Sequence, residues 1–187
     1  MITHKGTQTI RTERLTLRRF TLDDAEDMFN NWANDERVTR YLTWEPHESP
    51  ELTRQLLELW CANYGENNYY NWMIEFEGKP IGNISVVKFD ESSEAADLGY
   101  CIGYDFWGCG IMTEAAKAVI DYLFAEVGVN RIGISHAVKN PASGRVAQKC
   151  GLTYEGTKRE FYKTLSGELL DISFYGILRR EWESHKC

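Results

Sequence analysis

Proline is scarce, with 4 in 187 residues, and each stands alone, so no stretch reads as a Pro-rich linker. Long apolar runs are absent. Stretches such as Ile132-Gly133-Ile134 stop far short of the roughly 20 residues that cross a bilayer, so no membrane partner is expected. No Cys-x-x-Cys occurs, and the 5 cysteines stand at 61, 101, 109, 150 and 187. Neither a disulfide framework nor a structural zinc site is expected, and the thiols read as small hydrophobes. Repeats and low-complexity segments are missing too, which leaves one domain over residues 1–187. The segment Met1-Ile2-Thr3-His4-Lys5-Gly6 has no apolar h-region, so no secretory signal and a cytoplasmic location are expected.

A basic excess is also lacking. Lys and Arg total 21 against 28 Asp and Glu, a formal net charge of −7. Nucleic-acid binding usually needs a basic footprint over the whole domain, so no nucleic-acid partner is expected. The charge is uneven: residues 1–93 hold 10 basic and 16 acidic side chains, whereas residues 139–163 hold six basic and two acidic. That contrast suits a cationic acceptor beside an anionic cofactor, and it equally suits a solvated mixed surface. What the chain does have is a core: 43% apolar residues, with 6 Trp, 10 Tyr and 8 Phe, which excludes disorder as its main state.

The patterning predicts a mixed α/β sheet with helices on its faces. Residues 10–19 alternate Leu15 and Leu17 with polar neighbours, as one strand does. Thr21 with Asp23 and Asp24 signals a helix start, and a second helix opens at Pro50 with Leu52, Leu56, Leu59 and Trp60 on one face. A hairpin follows around Gly78-Lys79-Pro80, then a strand over residues 95–104 and a helix over 111–126. Residues 131–138 read as a buried strand, and a helix from Pro141 ends near Gly151. A last hairpin turns at Ser166-Gly167-Glu168.

The most informative stretch runs from Leu98 through Gly108-Cys109-Gly110 to Thr113-Glu114-Ala115. A strand enters a glycine turn that opens a helix. Glycines bring backbone N–H groups close to a ligand, and the first N–H groups of a helix are unpaired and partly positive. Together they make an anion cradle that needs no lysine. A P-loop is excluded, because Gly-x-x-x-x-Gly-Lys-Ser/Thr is absent. Thr113 stands where a dinucleotide fingerprint would have its third glycine.

About thirty residues on comes Asn140-Pro141-Ala142-Ser143, followed by Lys149-Cys150-Gly151-Leu152. With Gly99-Tyr100, the Gly108-x-Gly110 loop, Thr113-Glu114-Ala115 and a Thr12-Glu13-Arg14-Leu15-x-Leu17-Arg18 run, these motifs agree in order and spacing with one family. The chain resembles the GNAT superfamily of acetyl-CoA-dependent N-acetyltransferases, in the branch of the ribosomal-protein N-terminal (RimJ/RimL-like) enzymes. It departs from the usual loop at Trp107 and Met112, where the family carries Gln/Arg and Gly/Ala, and Leu152 replaces a common Phe.

The resemblance implies a mostly antiparallel, twisted sheet of about seven strands whose central pair, residues 98–104 and 131–138, splays apart. It implies acetyl-CoA as co-substrate and no metal. Main-chain groups near Cys101, Ile102 and Gly103 would pair with the pantetheine amides. Those of Trp107, Gly108, Cys109, Gly110, Ile111, Met112 and Thr113 would hold the pyrophosphate. Asn140 would bridge pantetheine amides, cap the Pro141 helix, or do both. Arg145 and Lys149 are candidates for the 3′-phosphoadenosine end, or are solvated helix charges.

Acyl transfer from a thioester to an amine needs a deprotonated amine, donors for the developing oxygen charge, a proton for the leaving thiolate, and two reactants held together, which alone contributes about 7–11 kcal/mol. Many relatives supply a tyrosine as the acid two residues before the Lys149 position. Ala147 stands there. Ser143 is the remaining hydroxyl near the thiol, and Asp97, Glu160 and Tyr162 are candidates for the base. His136 reads as a satisfied core histidine. A ping-pong route through Cys101 or Cys109 is disfavoured, since neither has an evident base partner. For the acceptor, the resemblance points to Trp44, Glu45, His47 and Glu48 with Glu160, Tyr162 and Asp171. The expected acceptor is a protein or peptide N-terminal amine. A small-molecule amine (polyamine, amino sugar or amino acid) is the alternative, a non-catalytic acyl-CoA-binding sensor is the competing class, and the assembly is a monomer or a homodimer.

Overall fold

A computed structural model of the chain describes residues 2–184. It contains eight strands: β1 (Ile10–Arg11), β2 (Leu15–Arg18), β3 (Asn71–Phe76), β4 (Lys79–Asp90), β5 (Ala95–Ile102), β6 (Arg131–Ala137), β7 (Thr153–Lys163) and β8 (Leu169–Leu178). They form one sheet in the order β1-β2-β3-β4-β5-β6-β8-β7. Every neighbouring pair is antiparallel except β5 and β6. The helices are α1 (Ala25–Met28), α2 (Glu36–Thr39), α3 (Pro50–Asn63), α4 (Ile111–Tyr122), α5 (Pro141–Lys149) and α6 (Arg179–Ser184).

Two layers of side chains hold the helices to the sheet. On one face Leu17, Trp72, Ile74, Ile84, Leu98, Ile132 and Ile134 meet Ile111, Ala115, Val119 and Leu123 of the α4 segment. On the other, Met73 and Cys101 pack under Phe20, Met28, Trp32 and Leu57 of the α1–α3 region. The eighth strand arises where residues 10–19 break: the chain folds back after Arg11, and Ile10 pairs with Leu17. The β3–β4 turn falls one residue earlier than the Gly78-Lys79-Pro80 pattern suggests. Glu77 and Gly78 both take positive φ, 51° and 77°, the backbone of a two-residue hairpin loop, and Pro80 lies inside β4 at a shift in register. In α3, Leu52 and Leu59 face solvent, while Thr53 and Leu57 are buried. The apolar stripe is broad, and packing against α1 buries the edge that holds Leu57. The end of α5 matches expectation: Gly151 is left-handed (φ 84°), the Gly151 N–H bonds Gln148 O and the Leu152 N–H bonds Ala147 O.

The feature that makes a site is the β5–β6 pair. Its ladder runs from Ala95 opposite Arg131 to Leu98 opposite Ile134 and stops there. Beyond it, β5 stays with β4 as far as Ile102 opposite Gly82, and β6 stays with β8 as far as Ala137 opposite Ile172. Each strand follows its outer partner, so a gap opens between them.

Candidate active site

The gap leads into a cleft of about 290 Å³ walled by β5, β6, α5, the loop before α4, and Val38, Tyr41 and Leu42 near α2. Alternation along β5 decides which backbone groups face it. The Gly103 N–H bonds Ile81 O at 2.8 Å, so Gly103 turns its N–H, and Cys101, two residues back, both its main-chain groups, toward β4, while the Gly103 carbonyl accepts from the Phe106 N–H at 3.0 Å. The groups of Tyr100 and Ile102 turn the other way, into the gap. This corrects the expectation that Cys101 and Gly103 present theirs. The Ile102 carbonyl accepts a hydrogen bond from Trp107 Nε1 at 2.9 Å.

The loop before α4 presents unpaired backbone amides at a helix start. Gly108 and Gly110 are left-handed, with φ of 78° and 77°. A side chain at Gly108 would meet nothing within 4 Å, so the conformation, not crowding, selects glycine there. Gly110 caps α4 without a side chain, and the first helical bond runs from the Glu114 N–H to Gly110 O. The N–H groups of Ile111, Met112 and Thr113 precede it and have no intrahelical acceptor. Gly108, Gly110, Ile111, Met112 and Thr113 all line the cleft. Trp107 packs on Tyr104 at 5.0 Å, and the Arg37 guanidinium stacks on the other ring of that pair at 3.8 Å, tying α2 to the loop.

The helix opposite contributes Asn140 and Ser143. Asn140 Oδ1 accepts from the Ser143 N–H at 3.4 Å while its Nδ2 donates to Ser143 Oγ at 3.2 Å, so the capping role is present and both residues line the cleft. Tyr100 crosses from β5 and donates its hydroxyl to Ser143 O at 3.1 Å; burial pushes its phenol above the ordinary range. Gly99-Tyr100 is visible in the sequence, but this bond is not, because it needs α5 to lie against β5. Ala147, where an acid is missing, is fully buried against the core. His136 is only half satisfied. Its Nδ1 donates to Ala137 O at 2.8 Å, which leaves Nε2 an acceptor, buried and without a partner. It lies against Gly144, where a Cβ would stand 2.6 Å from it. Cys101 Sγ donates to Asn83 Oδ1 at 2.9 Å, and burial pushes its thiol up to about 12, far from a thiolate nucleophile at neutral pH.

Comparison with known proteins decides the family. Residues 14–153 match the Acetyltransferase (GNAT) domain. The chain is 30% identical to the "Putative ribosomal N-acetyltransferase YdaF" of Bacillus subtilis over 93% of its own length and 96% of that protein's. It is 25% identical to the spermidine N(1)-acetyltransferase of Vibrio cholerae over 90% and 95% of the two chains. Among solved structures it superimposes with a TM-score of 0.82 on RimL, a ribosomal L7/L12 alpha-N-protein acetyltransferase in complex with coenzyme A, at 21% identity over 91% and 98% of the two chains.

The chain belongs to the GNAT acetyltransferases. Its eight-stranded, mostly antiparallel sheet is the GNAT fold, which it shares with RimL, and a protein named as a ribosomal N-acetyltransferase is among its relatives.

Within this GNAT domain the remaining site residues separate. Arg145 and Lys149 line the cleft from α5; Gly103 and Cys109 do not line it, and the Cys109 thiol is exposed. Asp97 is exposed on β5 opposite Gly133, in the paired part of the ladder and not on the cleft wall. Glu160 is exposed at φ 49° in a bulge of β7, where its N–H bonds Asp171 Oδ1 at 2.8 Å. Tyr162 packs with Tyr41 on the small cluster of Ala137, Leu170 and Ile172 at the rim. Trp44 packs toward the α1–α3 core, and His47 Nδ1 pairs with Thr53 Oγ1 at 2.7 Å. Among the described residues no Asp or Glu lines the cleft.

Proposed function

We propose that this acetyltransferase moves the acetyl group of acetyl-CoA to the α-amine of a protein or peptide N-terminus by direct attack in a ternary complex. The observation that carries the acceptor choice is the cleft's lining, which is aromatic and aliphatic at Tyr41, Leu42 and Val38 and holds no carboxylate. A polyamine carries several ammonium groups and needs fixed negative charge to hold them. A peptide N-terminus carries one and loses its charge on reacting. The same side of the sheet is also open, with Asp97, Ser135 and Val87 exposed where no helix covers them. A chain end can enter there. The 30% identity to YdaF supports the same reading.

The residues present fit acetyl-CoA. The outward main-chain groups of Tyr100 and Ile102 can pair with an amide-bearing arm, and the amides from Gly108 to Thr113 suit its diphosphate. Arg145 and Lys149, which line the cleft from α5, would suit the remaining phosphate. In the reaction an N–C bond forms to the acetyl carbon as the C–S bond breaks, the amine gives up a proton and the thiolate takes one. Ser143, ordered by Asn140, is the hydroxyl we assign to orient or relay at the sulfur. Asp97, Glu160 and Tyr162 lie off the cleft wall, so we assign the amine proton to water reaching the open face, with Tyr162 shaping the rim.

Steady-state kinetics with acetyl-CoA and three acceptors tests this: a peptide with a free N-terminus, the same peptide N-blocked, and spermidine. Acetylated product should be read by mass, because the exposed Cys109 would react with thiol reagents. The free peptide is expected to exceed both others at least tenfold in kcat/KM. Preference for spermidine would move the enzyme to the small-molecule class. Acetyl-CoA binding without transfer to any amine would leave a sensor.

A further inference from the structure

Arg14, part of the run over residues 12–18, lies in the β1–β2 turn, yet it reaches the loop before α4 about a hundred residues away in sequence. Its Nε donates to Glu114 Oε2 at 2.7 Å and its Nη1 to Cys109 O at 3.2 Å. Its backbone N–H bonds Glu114 Oε1 at 3.0 Å, and Thr12 Oγ1 donates to the same oxygen at 2.6 Å. We infer that Arg14 is a positioning residue for the diphosphate cradle, aiming a loop amide at the ligand and turning a helix carboxylate away from it. The inference rests on the reading that acetyl-CoA binds in this cleft.

Two physical arguments carry it. The first is peptide geometry. In a planar trans peptide the C=O and the following N–H point to opposite sides. Holding the Cys109 carbonyl toward Arg14 therefore turns the Gly110 N–H away from Arg14, and Gly110 is a cleft-lining residue. Gly110 is free of side-chain restraint, so without this bond its peptide is the one most able to flip. The second is charge. Glu114 sits in the first turn of α4, where a carboxylate competes with an anionic ligand for the same unpaired amides. Arg14 neutralises it and, with the Thr12 hydroxyl, holds it away from the cleft lining. Burial works against the charged form, but the bonds from Thr12 and Arg14 prevail and keep this carboxyl below its usual range. Both tasks need donors at a fixed spacing, which the guanidinium fork has and an ammonium lacks.

The test is calorimetric binding of CoA and of pantetheine, which has no phosphate, to the wild type, Arg14→Lys, Arg14→Gln and Glu114→Gln. Melting curves with no ligand report on folding. CoA affinity is expected to fall about tenfold in both Arg14 variants, with pantetheine affinity held within twofold and KM for acetyl-CoA rising while kcat stays within twofold. Glu114→Gln removes the competing charge along with its ion pair, and CoA affinity should change less than threefold. Equal loss of CoA and pantetheine would make Arg14 a general fold contact and overturn the inference. Wild-type affinity in Arg14→Lys would overturn it too, leaving only a surface charge effect. Should an Arg14 variant not fold, a tenfold loss of CoA binding in Glu114→Gln would itself count against the assignment. Failure of wild type to bind CoA is a different result, and it strikes the reading of the cleft.

Discussion

At the scale of single residues the site divides into backbone donors, which glycine makes possible, and side chains that hold them. Cys101 shows why burial matters more than proximity. It sits on β5 next to the gap, but its thiol is buried, bonded to Asn83 and pushed up to about 12. Cys101→Ser is expected to retain acetyl transfer within about threefold, and an alkylating reagent on the folded protein should mark Cys109 well before Cys101 or Cys150. An acetylated Cys101 trapped during turnover would contradict direct attack. How far residues can be read from sequence follows from the range of their partners. Gly108 and Gly110 are legible because a glycine turn before a helix has local meaning. The Asn140–Ser143 cap is legible for the same reason, at a spacing of three. Tyr100, Arg14 and the unpartnered Nε2 of His136 are not. Tyr100 meets α5, Arg14 meets Glu114 of α4 and the loop before it, and His136 Nε2 lies against Gly144 without a partner; only the packed fold brings these groups near. Asp97 and Glu160 invited a functional reading through the family resemblance, yet one lies in the paired ladder and the other in an exposed bulge.

At the scale of elements the helices hold the discrepancies. At about 100° per residue, Leu52, Leu56, Leu57, Leu59 and Trp60 spread over roughly 160° of α3, a stripe too broad for periodicity alone to say which part of it turns fully inward. The structure buries Leu57 completely and leaves Leu59 65% exposed. Leu57→Ala should cost about 2–5 kcal/mol in chemical denaturation, whereas Leu59→Ala should change stability by no more than about 0.5 kcal/mol. Similar costs at the two positions would mean that α3 packs with a different face. The other late arrivals, α2 and α6, are four and six residues long, too short for periodicity to register. The β5–β6 splay is an element-level property as well. Nothing in either strand's own residues ends the ladder at Leu98; it follows from each strand keeping its outer neighbour, and the sequence showed it only through family resemblance.

At the scale of the whole molecule, one sheet has its helices divided between two faces and its candidate cleft where two half-sheets part. Its edges are guarded: β1 is two residues long, and β7 carries Lys158, Arg159 and Lys163 beside a bulge, features that discourage strand-to-strand pairing. The order of the main elements was legible because strands and longer helices each carry their own period. The cleft's occupant is the central claim, and the direct test is the melting temperature of the wild-type protein with equal concentrations of acetyl-CoA, CoA, ATP or NAD. A ligand that binds only the folded state at one hundred times its Kd adds about 2.7 kcal/mol of stability. The account predicts a clear rise with acetyl-CoA and CoA and little with ATP or NAD. No shift with either CoA species, or an equal shift with NAD, would contradict it.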